Sequence, residues 1–274
     1  MENKKNLRFF VVMTNIVFWL FLGICGLVIV LGVPMDTISK YAPVLGSWAS
    51  FFVLMVWAKK LLPGTSRKAF LKGLFRDRVE WHLVLLSVAV PTVIFAAGAT
   101  VLGVVFKVPL GELINTDFRA YPAMFLLQLV MGPTGEEPGW RGYHLIGSVK
   151  VRGVLKGSLI TGLFWGLWHC PLWFMEGYSP SILIAYIAGF MAAVISFNII
   201  QSYIYLKHRN LLYCIIMHQL FNFLTGLFLL GTDRLPADKG MVVVIVTYAV
   251  CYALVAVVTV LISKDKVKAS FGSV

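Results

Sequence analysis

Two adjacent carboxylates, Glu136 and Glu137, stand beside Arg141 in the stretch GPTGEEPGWRG, residues 132–142, between strongly apolar flanks. Glu137 and Arg141 are four residues apart in the favourable order for a helical ion pair, and that pairing neutralises one carboxylate. Two neighbouring carboxylates do not both ionise cheaply, which leaves Glu136 as the candidate general base. Further along, FWGLWHCPLWF carries His169 beside Trp165 and Trp168, and IIMHQLFNFLTG puts His218 and Asn222 four apart on one helical face. A carboxylate, two imidazoles and an amide supply a base for water and donors for an oxyanion, the parts of a metal-free hydrolase. Two imidazoles with a glutamate are also the ligand types of a catalytic zinc, here His169, His218 and Glu136, although the HExxH arrangement on one helix is absent. Each group has a plainer reading too: a packing ion pair at Glu137 and Arg141, and a satisfied core residue for either histidine.

The elements that must position these residues are set by the medium. Of 274 residues, 59% are hydrophobic and 13% charged, far outside the range of a water-soluble domain. Crossing roughly 30 Å of hydrocarbon takes about 20 apolar residues, and eight stretches qualify: 9–33, 41–58, 81–106, 120–148, 157–175, 180–206, 210–231 and 241–263. A backbone in lipid satisfies its own hydrogen bonds, so these are helices. The fold class is an all-α polytopic membrane bundle of about eight transmembrane helices, a single integral domain over 1–274. The first stretch is too long for a signal-peptide core and reads as a retained helix. Cys25, Cys170, Cys214 and Cys251 lie inside predicted helices without CxxC spacing, which indicates neither a disulfide framework nor a thiolate metal site.

The net charge of +12 is distributed as topology rather than as a nucleic-acid surface. With both termini cytoplasmic, eighteen of the 24 lysines and arginines fall on inner segments, satisfying the positive-inside rule. The run 59–80, KKLLPGTSRKAFLKGLFRDRVE, is basic with Leu and Phe interleaved and is expected to lie along the inner leaflet. Counting along the helices, Glu136, His169, His218 and Asn222 lie roughly 12 to 18 Å below the inner boundary, at one level on three separate helices. A carboxylate or guanidinium at such a depth costs about 2.5–3.5 kcal/mol, which makes function the default reading of the charged cluster. Asn198 and Gln201 fit either the same cavity or interhelical hydrogen bonds. His82, His144 and His208 fall near segment ends, where an interfacial or solvated role is expected.

The order EEPGWR, WGLWH and HQLFN on successive membrane segments resembles the CPBP family, the CAAX protease and bacteriocin-processing or Abi proteins, whose pattern is EExxxR, FxxxH and HxxxN. The match spans about 120–230, with Trp165 where the family often has Phe. The resemblance implies an intramembrane endopeptidase of metalloendopeptidase-type labelling, with a glutamate-dependent mechanism as the favoured reading. By it, Glu136 and His169 activate a water, His218 and Asn222 stabilise the oxyanion, and Glu137 and Arg141 organise the site. The implied substrate is a membrane-associated polypeptide, prenylated CAAX proteins being one case, and the setting a plasma membrane. The competing readings are a non-catalytic immunity or regulatory membrane protein and a transporter or proton relay. The partners are a polypeptide substrate and the lipid bilayer, not nucleic acid; zinc stays open as a cofactor.

Overall fold

The computed structural model describes residues 2–175 and 177–271, without the side chains at positions 2, 3, 39, 40 and 264–271. Lys40, Lys264, Lys266 and Lys268, which enter the charge count, therefore have side chains outside the described residues. The described residues are mostly helical, a polytopic membrane bundle as expected, with isolated bridges and no strands among them.

Among the described residues four helices are continuous, apolar and long enough to cross a bilayer: α1 (Glu2–Val30) from Lys4 on, and, further on, Trp81–Phe106, Pro180–Lys207 and Ala237–Phe271, the last through Ser263. The other expected crossings are broken. The stretch 41–58 becomes α2 (Met35–Ser47), α3 (Ala49–Val56) and the one-turn α4 (Ala58–Leu61), interrupted at Trp48 and Trp57, with Pro43 inside α2. A basic surface turn, α5 (Arg67–Gly73), is capped by Ser66 Oγ accepting from the Ala69 amide at 3.1 Å and leads to α6 (Trp81–Phe106). Lys107 closes α6 in the left-handed region, φ 53°, and the short α7 (Leu110–Leu113) follows.

The stretch 120–148 is the most interrupted. It comprises α8 (Tyr121–Val130), α9 (Pro133–Glu137), a π-helix over Pro138–Leu145 and α10 (Ile146–Arg152). Pro133 opens α9, where a missing N–H costs nothing, while Glu137 and Pro138 are both αR, so the chain runs on from α9 into the π-helix without a new start. The orphan carbonyls at the break are satisfied by neighbours: Val130 O accepts from Trp48 Nε1 at 2.8 Å, and Leu129 O from Thr134 Oγ1 at 2.8 Å. Broken backbone at membrane depth is tolerated for that reason.

The remaining helices are α11 (Val154–Trp168), α12 (Cys170–Trp173), α13 (Pro180–Lys207), α14 (Leu212–Thr225) and α15 (Ala237–Phe271). Helix α13 packs along α15 and α11, and α6 along α14 and α15, while α3 lies against α9 and the π-helix. Small residues allow the closest approach, as expected where lipid offers no hydrophobic driving force. A Cβ at Gly162 would stand 3.0 Å from Ile195 Cα, and one at Gly166 2.6 Å from Met191 Sδ, so this pair seats α11 on α13. Trp165 and His169 follow from that seat.

Candidate active site

The helix break places the first carboxylates. Glu136 and Glu137 close α9, both buried, and Ser50 Oγ on α3 donates to Gly135 O at 3.1 Å, tying the turn to its neighbour. Gly135 and Gly139 allow this approach: a Cβ would lie 2.8 Å from the Trp48 ring at the first and 2.6 Å from Ser50 Oγ at the second.

Glu137 is the hub of a buried charged network. Its Oε1 lies 3.2 Å from Arg141 Nη1, with both side chains fully buried, and 2.7 Å from His218 Nδ1 on α14. Arg141 also donates through Nη2 to Gln201 Oε1, and its guanidinium lies 3.8 Å from the Trp165 ring centroid. Gln201 Nε2 in turn donates to Cys214 O at 2.9 Å. Buried charges persist only when paired and hydrogen-bonded, and this set ties the π-helix, α11, α13 and α14 together.

Glu136 is held differently. Its Oε2 accepts from Trp165 Nε1 at 2.7 Å. Its Oε1 turns toward Gly132, where a Cβ would lie 3.7 Å from that oxygen, 3.4 Å from His218 Nε2 and 2.8 Å from Asn222 Nδ2. A carboxylate oxygen, an imidazole nitrogen and a carboxamide nitrogen thus surround one point kept open by a glycine. His169 Nδ1 donates to Trp165 O at 2.8 Å, which leaves Nε2 as its other hydrogen-bonding nitrogen. Glu136, His169, His218 and Asn222 all line one cavity of about 680 Å³, which continues between α1 and α2. Glu137 and Arg141 stand behind it.

Glu136, Glu137, Arg141, His169, His218 and Asn222 are therefore in or beside this cavity. Asn198 and Gln201 do not line it: Asn198 Nδ2 donates to Ser158 O at 2.6 Å, and both make interhelical bonds. His144, expected near a solvated segment end, is instead buried, with Nδ1 3.0 Å from Thr161 Oγ1 and Phe10 stacked beside it. The π-helix and α10 carry the chain further before its surface turn than the apolar stretch suggests. His82 is largely exposed and sits 3.4 Å from Glu80, as its position implies. The part of Trp165 as donor to Glu136 was not legible; an indole near the end of an apolar helix carries no mark of its partner.

Zinc would need its donors gathered at one point. Among the described residues no three His, Cys, Asp or Glu side chains are grouped to hold a metal ion. The set His169, His218 and Glu136 therefore does not fit that role in this arrangement. Residues 118–224, which include Glu136, Glu137, Arg141, His169, His218 and Asn222, match the family of Rce1-like type II CAAX prenyl endopeptidases. Over 225 residues the chain is 28% identical to CAAX prenyl protease 2 of Methanococcus maripaludis, covering 76% of this chain and 79% of that protein. EEPGWR, WGLWH and HQLFN lie in order inside the matched region, so the chain is similar to the CAAX prenyl endopeptidases, a family of membrane proteases, in the part that carries the site.

Proposed function

We propose that this protein is an intramembrane endopeptidase of the plasma membrane that cleaves a membrane-associated polypeptide with a water activated by Glu136. The observation that carries the reading is the convergence of Glu136 Oε1, His218 Nε2 and Asn222 Nδ2 on the space over Gly132. A hydrolase needs a base and oxyanion donors within reach of one reacting atom, and these are of the right kinds.

In the proposed reaction the substrate carbonyl lies over Gly132 with its oxygen toward Asn222 Nδ2 and His218 Nε2. Water attacks the carbonyl carbon and gives a proton to Glu136 Oε1, while Trp165 Nε1 holds the other oxygen in place. Negative charge gathers on the carbonyl oxygen and is met by the Asn222 amide and, with both ring nitrogens protonated, by His218. Glu137 accepts from the far side of that ring and so fixes its orientation. His169, whose ring is oriented by Trp165 O, assists Glu136 in handling the water. As the C–N bond breaks, Glu136 passes its proton to the leaving amine, giving a carboxylic acid and a free amine. No step is routed through a metal.

The substrate class is a membrane-associated polypeptide, to which the CAAX proteins named for the archaeal relative also belong. Comparing membrane proteomes of cells carrying the wild type and Glu136→Gln by terminal-peptide mass spectrometry tests the reading. New termini that disappear in the variant, at equal protein abundance, are expected. Normal processing in Glu136→Gln, His169→Ala and His218→Ala alike would overturn it.

A further inference from the structure

The segment 59–80 carries seven lysines and arginines, and their charge is almost uncompensated. Arg76 pairs with Asp77 at 2.8 Å, whereas Lys59, Lys60, Arg67, Lys68, Lys72 and Arg78 have no carboxylate partner among the described residues. Lys68, Lys72 and Arg78 are exposed, and Phe75, Val79 and Trp81 stand exposed among them. Cations fringed by aromatic rings at the end of a membrane-spanning helix, here α6, form a surface suited to anionic headgroups: the charges hold phosphate and the rings enter the interface. Arg209 adds a guanidinium beside it. Its amide donates to Asp77 Oδ2 at 2.9 Å, no carboxylate pairs with it, and its Nη1 is buried without an acceptor among the described residues.

The inward face of the same segment is tied to both elements of the site. Leu74 is buried, and a Cβ at Gly142 of the π-helix would stand 2.5 Å from Leu74 Cδ2 and 3.4 Å from Phe70 Cζ. The end of α5 is therefore seated on the residue next to Arg141. Leu74 O accepts from the Leu211 amide at 2.8 Å, Asp77 O accepts from Asn210 Nδ2 at 2.8 Å, and the Glu80 amide donates to the Tyr213 hydroxyl at 2.7 Å. These three partners lie at and just before the start of α14, the helix that presents His218 and Asn222. One surface segment thus braces the two elements whose own junction is the 2.7 Å contact of Glu137 with His218.

We propose that the segment 59–80 docks anionic phospholipid of the leaflet it faces, cytoplasmic by the positive-inside rule, and that this docking holds the π-helix and α14 together at the site. The outward face supplies the charge and the inward face the mechanical connection: drawing Lys68, Lys72 and Arg78 onto headgroups seats Leu74 against Gly142 and Leu211. A zwitterionic surface offers the same apolar interface without net charge, and lipid shifts the chain toward the braced arrangement only through that difference in affinity. The occupant is a lipid rather than a small soluble anion because the cations are spread along 68–78 with exposed apolar side chains between them, which a single ion does not engage. That the braced site cleaves peptide bonds rests on the proteolytic reading; the docking itself does not.

Amide hydrogen exchange of the full chain in nanodiscs tests this, with phosphatidylcholine alone or with part of it replaced by phosphatidylglycerol. Slower exchange in 67–80, in the π-helix and in 209–217 is expected in the anionic discs. The triple variant Lys68→Gln, Lys72→Gln and Arg78→Gln alters exposed side chains only and should keep the wild-type Tm in phosphatidylcholine while losing that slowing. The expected loss of lipid affinity is roughly fivefold per residue, on the order of 100-fold together. Equal exchange in the two lipids, or slowing that persists in the triple variant, overturns the docking. Slowing confined to 67–80 overturns the connection to the site, and the same slowing from inorganic phosphate in phosphatidylcholine discs overturns lipid as the occupant. Glu136→Gln should show the wild-type exchange pattern, so absence of any Glu136-dependent cut in the terminal-peptide comparison would overturn proteolysis while the exchange still decides the docking. Where such cuts occur they are expected to fall severalfold in the triple variant at equal abundance, and unchanged cutting overturns the regulation.

Discussion

Trp165 Nε1 donates to Glu136 Oε2 at 2.7 Å while the same indole ring lies under the Arg141 guanidinium. One side chain therefore touches both the proposed base and the charge network behind it. Trp165→Phe keeps an aromatic face for Arg141 and removes the hydrogen bond alone. A hydrogen bond to a charged group contributes about 1.5–3 kcal/mol, so kcat is expected to fall roughly 10- to 100-fold with KM little changed. Equal kcat in the two proteins would show that the indole N–H does not position the carboxylate.

Glu137 and Glu136 are neighbours with separable duties. Glu137→Gln leaves Arg141 buried without its counter-charge, and breaking a buried pair in this way costs about 3–5 kcal/mol. A large drop in Tm in detergent is expected for Glu137→Gln, with loss of activity following from it. Glu136→Gln should lose activity at nearly unchanged Tm, because its carboxamide can still accept from Trp165. Identical thermal behaviour of the two variants would contradict the division of roles.

Much of this site was legible because parts of it are local. Glu137 with Arg141, and His218 with Asn222, are four-residue spacings that any helix brings onto one face, and the apolar stretches announce the bundle. The contact between Glu137 and His218 spans 81 residues and depends on how α14 docks on the broken segment, which spacing does not encode. Gln201 was ambiguous for the same reason: its partners lie on two other elements. His144 was misread because α10 carries the helix on to Arg152, beyond the apolar run, so His144 is packed against Thr161 of α11 and Phe10 of α1. The cavity between α1 and α2 is walled by elements far apart in the chain, and no residue type in either helix marks it.

Gly132 keeps open the point on which the polar groups converge. A methyl group there would stand 2.8 Å from Asn222 Nδ2 and 3.4 Å from His218 Nε2. Gly132→Ala should displace the Asn222 amide and lower kcat, since overpacking of this kind typically costs about 1–3 kcal/mol. Single-turnover cleavage of a substrate identified by the proteomic comparison provides the measurement. Unimpaired turnover would place the reacting carbonyl elsewhere.

At the basic surface, Asp77 fastens the 59–80 segment to the turn before α14. Its Oδ2 accepts from the Arg209 amide at 2.9 Å and its Oδ1 from Arg76 Nε at 2.8 Å. The Arg76 guanidinium beside it, with help from the Arg209 amide, holds the Asp77 carboxyl below the usual carboxylate range. A depressed folded value means that the stabilisation is fully present above the unfolded pKa and is lost as pH falls through the lower, folded one. The Tm difference between wild type and Asp77→Asn should therefore be constant near neutrality and shrink in acid, below about pH 4. A difference that stays constant throughout would mean the carboxylate charge contributes nothing to holding the segment.

Gly26 offers a test of the cavity between α1 and α2 as a substrate path that leaves the chemistry untouched. It lines the cavity on α1, away from the charged cluster, and an added side chain meets nothing within 4 Å of its Cβ. Gly26→Phe should therefore fold normally, and exchanging glycine within a helix itself favours the folded state by roughly 0.5–1 kcal/mol for a better helix former. The ring would occupy the space through which an apolar substrate segment passes, while the Glu137–His218 contact and the Trp165–Glu136 bond stay intact. A steep rise in KM or complete loss of cleavage at wild-type Tm is expected, with shorter or less bulky substrates affected least. If cleavage of long apolar substrates proceeds at the wild-type rate in Gly26→Phe, the substrate does not travel beside α1.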